Sequence, residues 1–591
     1  MFLGPRQIGE NQDIWQRNKK HNAHEVLEFG SMSLKRDSPR EVVDDIDILE
    51  KQADRWGQSH VVLKKEWNLA AWHGLTACAR ALELDVPLGR RGGSSHQTSA
   101  MNLSHAGYQI YHAALRHGHK QAAPQRRMRW SLSEVESKQL VLAGFSYSLC
   151  WADFPAWHSN LYNLVSHTSS SITFAAATSE HSQRVMAYEK GIRPFGDRGE
   201  FGKQIAAEDT GKAFSNALAK VSSEMRAAGT KGFVEPPLHE LHDSLFPIYL
   251  AKIGELFRRA ENIALGGYSM GEFRRFQAAL LCIAGTREHL CYVWSQKTGK
   301  IPCNNLLLLM TLDKWTTEIC RLSALSSDLV AQIIDGLTLG QEEVPNRDLN
   351  VYPFIPLNSK GDLLAVVPGI VMTSNIEESI LRNRAYRNKR FFDAATSVKE
   401  DETRIELQRE LSHMHIYGPL KLSNGMPDID VIFEDPKSNA LLVAELKWLQ
   451  MPGSLPARAE RNREIEKGVR QVRFIRDFLN THPDYLLKQG KLERSLNIYD
   501  SVSFCVLCRD YIGDIASGDV PIFSYIAFKN FLKNGESLPA AIAHMKSDAW
   551  LPSQGRDFTY GLYTHNSNGV MISTEVLKTT YANELNLLEN T

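Results

Sequence analysis

The sequence predicts a multidomain protein with a mainly α-helical N-terminal region and a C-terminal α/β domain built on a mixed central sheet. Two patterns support this prediction. Before about residue 345, apolar residues recur near helical spacing, as in the segments 241–263 and 273–294. After about residue 393, short β-branched runs alternate with helix-like segments, an order that is typical of an α/β sheet.

These patterns divide the chain into four parts: a helical region (1–345), a β-containing connector (346–392), the α/β domain (393–545) and a C-terminal extension (546–591). The connector contains an apolar run at 362–372 that predicts a buried strand, broken at Pro368-Gly369. Within the α/β domain, we expect helices over 398–414 and about 457–480, and strands at 428–434, 440–447, 501–508 and 520–528.

Composition excludes several classes of protein. The 591 residues carry 68 Lys plus Arg and 68 Asp plus Glu, so a generally basic nucleic-acid coat is excluded and any nucleic-acid contact must come from local patches. The start lacks the apolar segment of a signal peptide, and no apolar run approaches the roughly 20 residues that span a bilayer. The cysteines are scattered, and Cys505 and Cys508 form a lone CxxC that favours a core strand over a zinc site. We therefore expect a reduced, cytoplasmic protein without a membrane partner.

The hairpin predicted at 428–447 contains an unusual group of charges. Its strands flank Asp435-Pro436-Lys437-Ser438-Asn439, a turn by composition. In a symmetric hairpin, Asp430 lies opposite Glu445 and Asp428 lies opposite Lys447. Directly opposed residues share a face, so these four side chains project together. The other face carries an apolar set: Ile429, Val431, Phe433, Leu442, Ala444 and Leu446.

Neighbouring carboxylates of this kind form a hard oxygen site suited to Mg²⁺ or Mn²⁺. Without a cation, carboxylates this close repel each other and one takes up a proton. Lys447 adds a positive charge that can position a water molecule or offset charge on a phosphate. A metal ion beside a lysine suits the hydrolysis of phosphodiesters. The alternative is an ordinary charge pair across an exposed hairpin, which is common and worth little.

The run Pro427-Asp428-Ile429-Asp430 followed by Glu445-Leu446-Lys447 resembles the PD-(D/E)XK nuclease superfamily, which has the restriction-endonuclease-like fold. The resemblance covers about 400–530. It implies that Asp430 and Glu445 bind the metal, that Lys447 is catalytic and that Gln471, on the next helix, joins the site. It leaves the role of Asp428 open. It also implies a glutamate on the first core helix, for which Glu406 and Glu410 are both candidates.

Basic residues follow the second strand of the hairpin. Arg470, Arg473 and Arg476 recur every three residues and form a ridge along one side of the predicted helix. Such a ridge beside a metal site is a candidate for contacts with nucleic-acid phosphates. A solubilising face is the alternative, since acidic residues are interleaved upstream in the same helix.

The sequence thus predicts a Mg²⁺- or Mn²⁺-dependent nuclease with catalytic residues Asp430, Glu445, Lys447 and Gln471. DNA is the expected substrate by superfamily habit, and defence against phage or foreign DNA is the expected setting. The N-terminal region is then expected to sense a trigger, bind a protein partner or form a homo-oligomer. Two alternatives remain: a catalytically inactive module that binds nucleic acid or protein, and a serine hydrolase using Ser269 of the GxSxG run 267–271. For Ser269, a helix N-cap is the favoured interpretation.

Overall fold

The structure is a computed structural model of the chain. It describes residues 40–85, 94–158, 162–176, 179–192, 219, 221, 223–228, 231–256, 261, 263–340, 349–373, 380, 401, 403–422, 427–449, 455–509, 511–513, 515 and 518–579. The predicted limit between the connector and the α/β domain, at residues 392 and 393, lies outside the described residues.

Helices dominate the N-terminal region, as predicted. The described helices are α1 Arg40–Ala53, α2 Trp56–Ser59, α3 Trp67–Asp85, α4 Ser94–His117, α5 Glu134–His158, α6 Glu180–Ile192, α7 His239–Leu256, α8 Met270–Thr298, α9 Leu312–Ser323, α10 Ser327–Gly336 and α11 Pro368–Thr373. The described strands are β1 Tyr162–His167, β2 Ser171–Ala176, β3 Arg226–Ala227, β4 Phe233–Val234, β5 Leu308–Thr311, β6 Ile355–Pro356 and β7 Leu363–Val366. Most of these elements share one hydrophobic core.

The sequence signals at the ends of α8 explain where this long helix begins and ends. Ser269 is its N-cap, and with Glu272 it forms a capping box in which each side chain accepts a hydrogen bond from the other residue's backbone N–H. Gly299 ends the helix at φ 66°, a left-handed conformation that glycine adopts without strain. The predicted N-cap role of Ser269 is confirmed.

The C-terminal part contains a mixed sheet covered on both faces. Its described elements are α12 (403–410), β8 His415–Tyr417, β9 Val431–Asp435, β10 Ala440–Trp448, α13 Leu455–Thr481, α14 Tyr485–Lys488, β11 Ser501–Arg509, β12 Ile522–Ser524, α15 Tyr525–Lys533, α16 Leu538–Lys546, β13 Phe558–Ser567 and β14 Val570–Thr579. The central sheet has the order β12-β11-β10-β9-β8 among the described strands. Strands β10, β11 and β12 run parallel, whereas β8, β9 and β10 are antiparallel neighbours.

The two faces of the central sheet pack against different helices. On one face, Phe433 of β9 meets Phe528 of α15 edge to face, with ring centroids 5.6 Å apart. On the other face, Val443 of β10 shares a cluster with Ile475 and Leu479 of α13. The apolar stripe of α13, which the sequence predicts, is divided: Ile475 and Leu479 join the cluster of Val443, whereas Val472 joins the cluster that contains Phe433.

Several predicted elements need correction. The run 520–528 is a strand only at Ile522–Ser524, because the Ser524 side chain accepts the N–H of Ala527 and starts α15. In the run 362–372, the strand ends at Val366 and Pro368 opens the short helix α11. Among the described residues, the helix predicted over 398–414 ends at Glu410, and β8 begins at His415. Strands β1 and β2 were not predicted.

Each of the two parts contributes a secondary-structure element to the other part. Helix α6 places Val185 and Tyr188 in the core of the central sheet, and the Tyr188 and Ser524 hydroxyls are hydrogen bonded at 3.0 Å. In the other direction, β14 runs parallel to β2, so that the described strands β1-β2-β14-β13 form a second sheet. The predicted C-terminal extension thus completes a sheet of the N-terminal region.

None of the described helices combines the length and the hydropathy that crossing a bilayer requires. The described cysteines are free thiols, and Cys505 and Cys508 are buried in β11, as predicted for a core strand.

Buried histidines in the helical core generate a prediction for acid stability. His73 is 1% and His242 is 6% exposed, and burial lowers the pKa of each imidazole from 6.5 to about 4. The unfolded chain then binds more protons, so stability present above about pH 6.5 is lost as the pH falls towards 4. We expect the urea concentration at the unfolding midpoint to be lower at pH 4.5 than at pH 7, and this decrease to be smaller for His73→Gln than for the wild type. An equal decrease in the variant and the wild type would refute the role of His73.

Arg184 of α6 tests the exchange of elements. Its guanidinium donates to the carbonyl oxygens of Asp548, Leu551 and Pro552 at 2.6, 3.0 and 2.9 Å. Because these bonds join α6 to the end of α16, we expect Arg184→Ala to lower the free energy of unfolding by about 1–3 kcal/mol. Arg409 of α12, whose side chain is 72% exposed, is the control, and Arg409→Ala should cost less than about 0.5 kcal/mol. Equal losses in urea denaturation would count against a structural role for α6.

Candidate active site

The hairpin of β9 and β10 positions the predicted site residues. The observed ladder runs from Ala440 opposite Asp435 to Ala444 opposite Val431, which is the predicted register. Asp430 lies one residue beyond the last pair. There its side chain replaces the backbone as acceptor, since the Leu446 N–H donates to Asp430 Oδ2 at 2.8 Å. Asp430 and Glu445 therefore lie side by side where the ladder opens.

Burial makes this carboxylate pair chemically unusual. Glu445 is 3% exposed. Its Oε1 accepts a hydrogen bond from Lys447 Nζ at 2.6 Å, whereas no donor from the described residues lies within hydrogen-bond distance of its buried Oε2. Burial and the neighbouring Glu445 carboxylate raise the pKa of Asp430 well above its usual range. The two carboxyl groups thus favour sharing a proton over being ionised together.

Helix α13 contributes the third side of the site. Gln471 Oε1 lies 3.4 Å from Lys447 Nζ, so the ammonium group faces both Glu445 and Gln471. Gln471 precedes the buried Val472, as the stripe on α13 predicts. The structure therefore brings together Asp430, Glu445, Lys447 and Gln471, which are the four residues that the sequence predicts to be catalytic.

Asp428 and Ile429 depart from the predicted hairpin. Asp428 is exposed, and among the described residues it joins no group of three metal-ligating side chains. Ile429 was predicted to share the apolar face of Val431, but it clusters with Ile432 instead. The pairing with β10 has ended at this point, and Ile429 exchanges two backbone hydrogen bonds with Leu420.

Glu406 and Glu410 are bound away from the carboxylate pair. Glu406 accepts hydrogen bonds from Arg509 Nη1 at 2.9 Å and from Lys529 Nζ at 2.6 Å. Glu410 pairs with Lys529 at 3.1 Å and with Lys533 at 3.4 Å. These ion pairs join α12 to β11 and α15, which is a structural role for both candidates.

The arginine ridge is partly neutralised. Arg473 binds Asp519 through two nitrogens, at 3.1 and 2.5 Å, and Arg476 binds the same carboxylate at 2.8 Å. Their hydrogen bonds hold the pKa of Asp519 well below its usual range. Arg470 is exposed. A phosphate would have to compete with Asp519 for two of the three predicted nucleic-acid-binding residues.

Two features escaped the sequence analysis. The first is Gly468 of α13, which packs against the Lys447 side chain. Its only sequence signal was that a glycine lies inside a predicted helix.

The second feature is a group of three potential metal ligands, Asp47, Glu50 and His158. Each places one ligand atom within 4.8 Å of the others, and His158 Nε2 lies 3.0 Å from Glu50 Oε2. The spacing of Asp47 and Glu50 fits one helix face, but no sequence signal links them to His158.

The donor set around Asp430 and Glu445 fits a divalent cation. Two adjacent carboxylates supply hard oxygen ligands, and within the part of the chain that the structure describes the buried Glu445 Oε2 has no donor to displace. A cation there would remove the repulsion that raises the pKa of Asp430. No protein-family model, curated protein or solved structure matches this chain, so the geometry alone supports this interpretation.

The carboxylate pair predicts a gain in stability when one charge is removed. Because the folded-state pKa of Asp430 is raised, ionisation above that pKa costs folding energy. Asp430→Asn keeps an oxygen for the Leu446 N–H. We expect it to raise the free energy of unfolding by about 1 kcal/mol or more at pH 8 without divalent ions.

Urea denaturation in EDTA measures this difference, and the exposed Asp428→Asn is the matched control, for which we expect no change. Mn²⁺ should raise the midpoint of the wild type and should raise that of Asp430→Asn less. A less stable Asp430→Asn in EDTA would contradict the repulsion between the carboxylates.

Proposed function

We propose that the chain is a Mg²⁺- or Mn²⁺-dependent nuclease whose α/β domain has the restriction-endonuclease-like fold. The observation that supports this most is the buried pair of Asp430 and Glu445 with the ammonium of Lys447 2.6 Å from Glu445. A purely structural hairpin gains nothing from burying two adjacent carboxylates, since their repulsion destabilises it. A site that holds a cation needs this arrangement.

Each residue has a distinct role in the proposed hydrolysis. Asp430 and Glu445 would hold the metal ion, which when bound lowers the pKa of a water molecule and shields phosphate oxygens. Lys447 would orient the attacking water or offset the charge that develops on the phosphate. Gln471 would keep the ammonium in place through its side-chain oxygen.

DNA is the proposed substrate and the cytoplasm the proposed location, both by analogy with the superfamily that the motif resembles. Defence against phage or foreign DNA fits a nuclease domain joined to a large region of other function, and the N-terminal region is then the proposed sensor or assembly surface. The competing function is an inactive module that binds nucleic acid without cutting it. The two are separated by cleavage, because only the nuclease needs Lys447 and a divalent ion.

The test is cleavage of linear duplex DNA, single-stranded DNA and RNA by the purified chain with Mg²⁺, Mn²⁺ or EDTA. We expect cleavage with either metal and none in EDTA. Lys447→Ala should fold normally and lose at least about 100-fold in rate, because it removes the group that positions water or offsets charge. Lys437→Ala is the matched control, since Lys437 lies exposed in the turn of the same hairpin. Equal rates for Lys447→Ala and wild type would remove the assignment.

A further inference from the structure

Gly468 lies within α13, where glycine is an unfavourable residue. The helix spans Leu455–Thr481, and Gly468 is buried near its middle. Glycine loses more backbone freedom in a helix than alanine does, so a buried glycine at this position needs a packing reason. Its φ is not left-handed, so the backbone conformation does not require glycine.

The packing reason is the side chain of Lys447. A methyl group added to Gly468 would lie 3.0 Å from Lys447 Cε and 3.5 Å from Lys447 Cγ. It would lie 3.5 Å from Val506 Cγ1, which is an ordinary contact. The tight contact is therefore with the lysine alone, and the lysine would have to move by a few tenths of an ångström.

Lys447 has little room for such a movement. Its ammonium is 2.6 Å from Glu445 Oε1 and 3.4 Å from Gln471 Oε1. Gly468 and Gln471 are three residues apart, so they lie on the same face of α13, where Gly468 borders the aliphatic stem of the lysine and Gln471 borders its ammonium. A displacement of Cε would alter both of these distances.

We infer that Gly468 is a positioning residue for Lys447: its missing side chain lets α13 approach β10 closely enough to hold the ammonium beside Glu445. This inference rests on the proposed nuclease function for its effect on rate. Its structural part concerns only the contact between Gly468 and Lys447. Because Gly468 has no Cβ atom, the backbone of α13 packs directly against the aliphatic part of the Lys447 side chain. This contact fixes the position of the catalytic ammonium.

The first test is the kinetics of Gly468→Ala on duplex DNA with Mg²⁺. We expect kcat to fall about tenfold or more with KM changed less than about threefold, since a small misplacement of a catalytic group affects the transition state more than substrate binding. Gly107→Ala is the matched control, because the added methyl would lie 2.7 Å from Leu349 Cδ1, another side chain in contact with a helix glycine. We expect its kcat to equal that of the wild type. Equal kcat for Gly468→Ala and wild type would overturn the inference.

The second test does not need activity. In a Lys447→Ala background, Gly468→Ala should raise the thermal unfolding midpoint by about 2 °C, because alanine favours the helix and the lysine stem is gone. In the wild-type background the same change should give no rise. This non-additivity identifies the contact with Lys447. Equal shifts in both backgrounds would overturn the inference, whereas a wild type that cuts no substrate would instead overturn the proposed nuclease.

Discussion

The burial of two adjacent carboxylates at the open end of the β9–β10 ladder constrains the rest of the C-terminal structure. Like charges in a low-dielectric site repel strongly unless a proton or a cation lies between them. One ammonium, that of Lys447, lies against Glu445 at 2.6 Å. Asp430 has the Leu446 N–H as its hydrogen-bond donor, and its pKa is raised first by burial and second by repulsion from Glu445. The packing of the surrounding sheet and α13 must offset this cost.

That packing comes from a sheet covered on both faces. Apolar residues pack on both sides of β10, with Phe433 and Phe528 in one cluster and Val443 and Ile475 in another. Glu445 and Lys447 lie where β10 runs past the end of its ladder with β9, whereas the buried Glu434 and Asp435 lie at the other end of that ladder. Between these two ends the paired residues of the hairpin are all apolar, so the carboxylate pair interrupts the apolar packing only at the edge of the sheet.

The hairpin was predictable because its information is local. A turn-forming segment between two alternating strands determines which residues face each other, and the observed register follows. Gln471 was predictable from its place beside the stripe of α13. Other contacts join residues that are far apart in sequence, such as the ion pairs of Glu406 with Lys529 and of Arg473 with Asp519. No local sequence pattern predicts such partners. Strand β12 was overestimated because the capping role of Ser524 outweighed the apolar and aromatic residues after it.

The exchange of elements between the two parts bears on how the N-terminal region can act. Trp448 follows Lys447 directly, and it packs in the core of the N-terminal region. Helix α6 reaches the other way, where Glu189 accepts the backbone N–H groups of Ile512 and Gly513 just after β11. Since β10 and β11 are neighbours, both ends of this exchange lie at the edge that carries Lys447. A rearrangement of the N-terminal core would therefore displace Trp448 and, through the peptide bond between them, Lys447. The helical region thus supports the candidate site, and its removal would expose Trp448 to solvent.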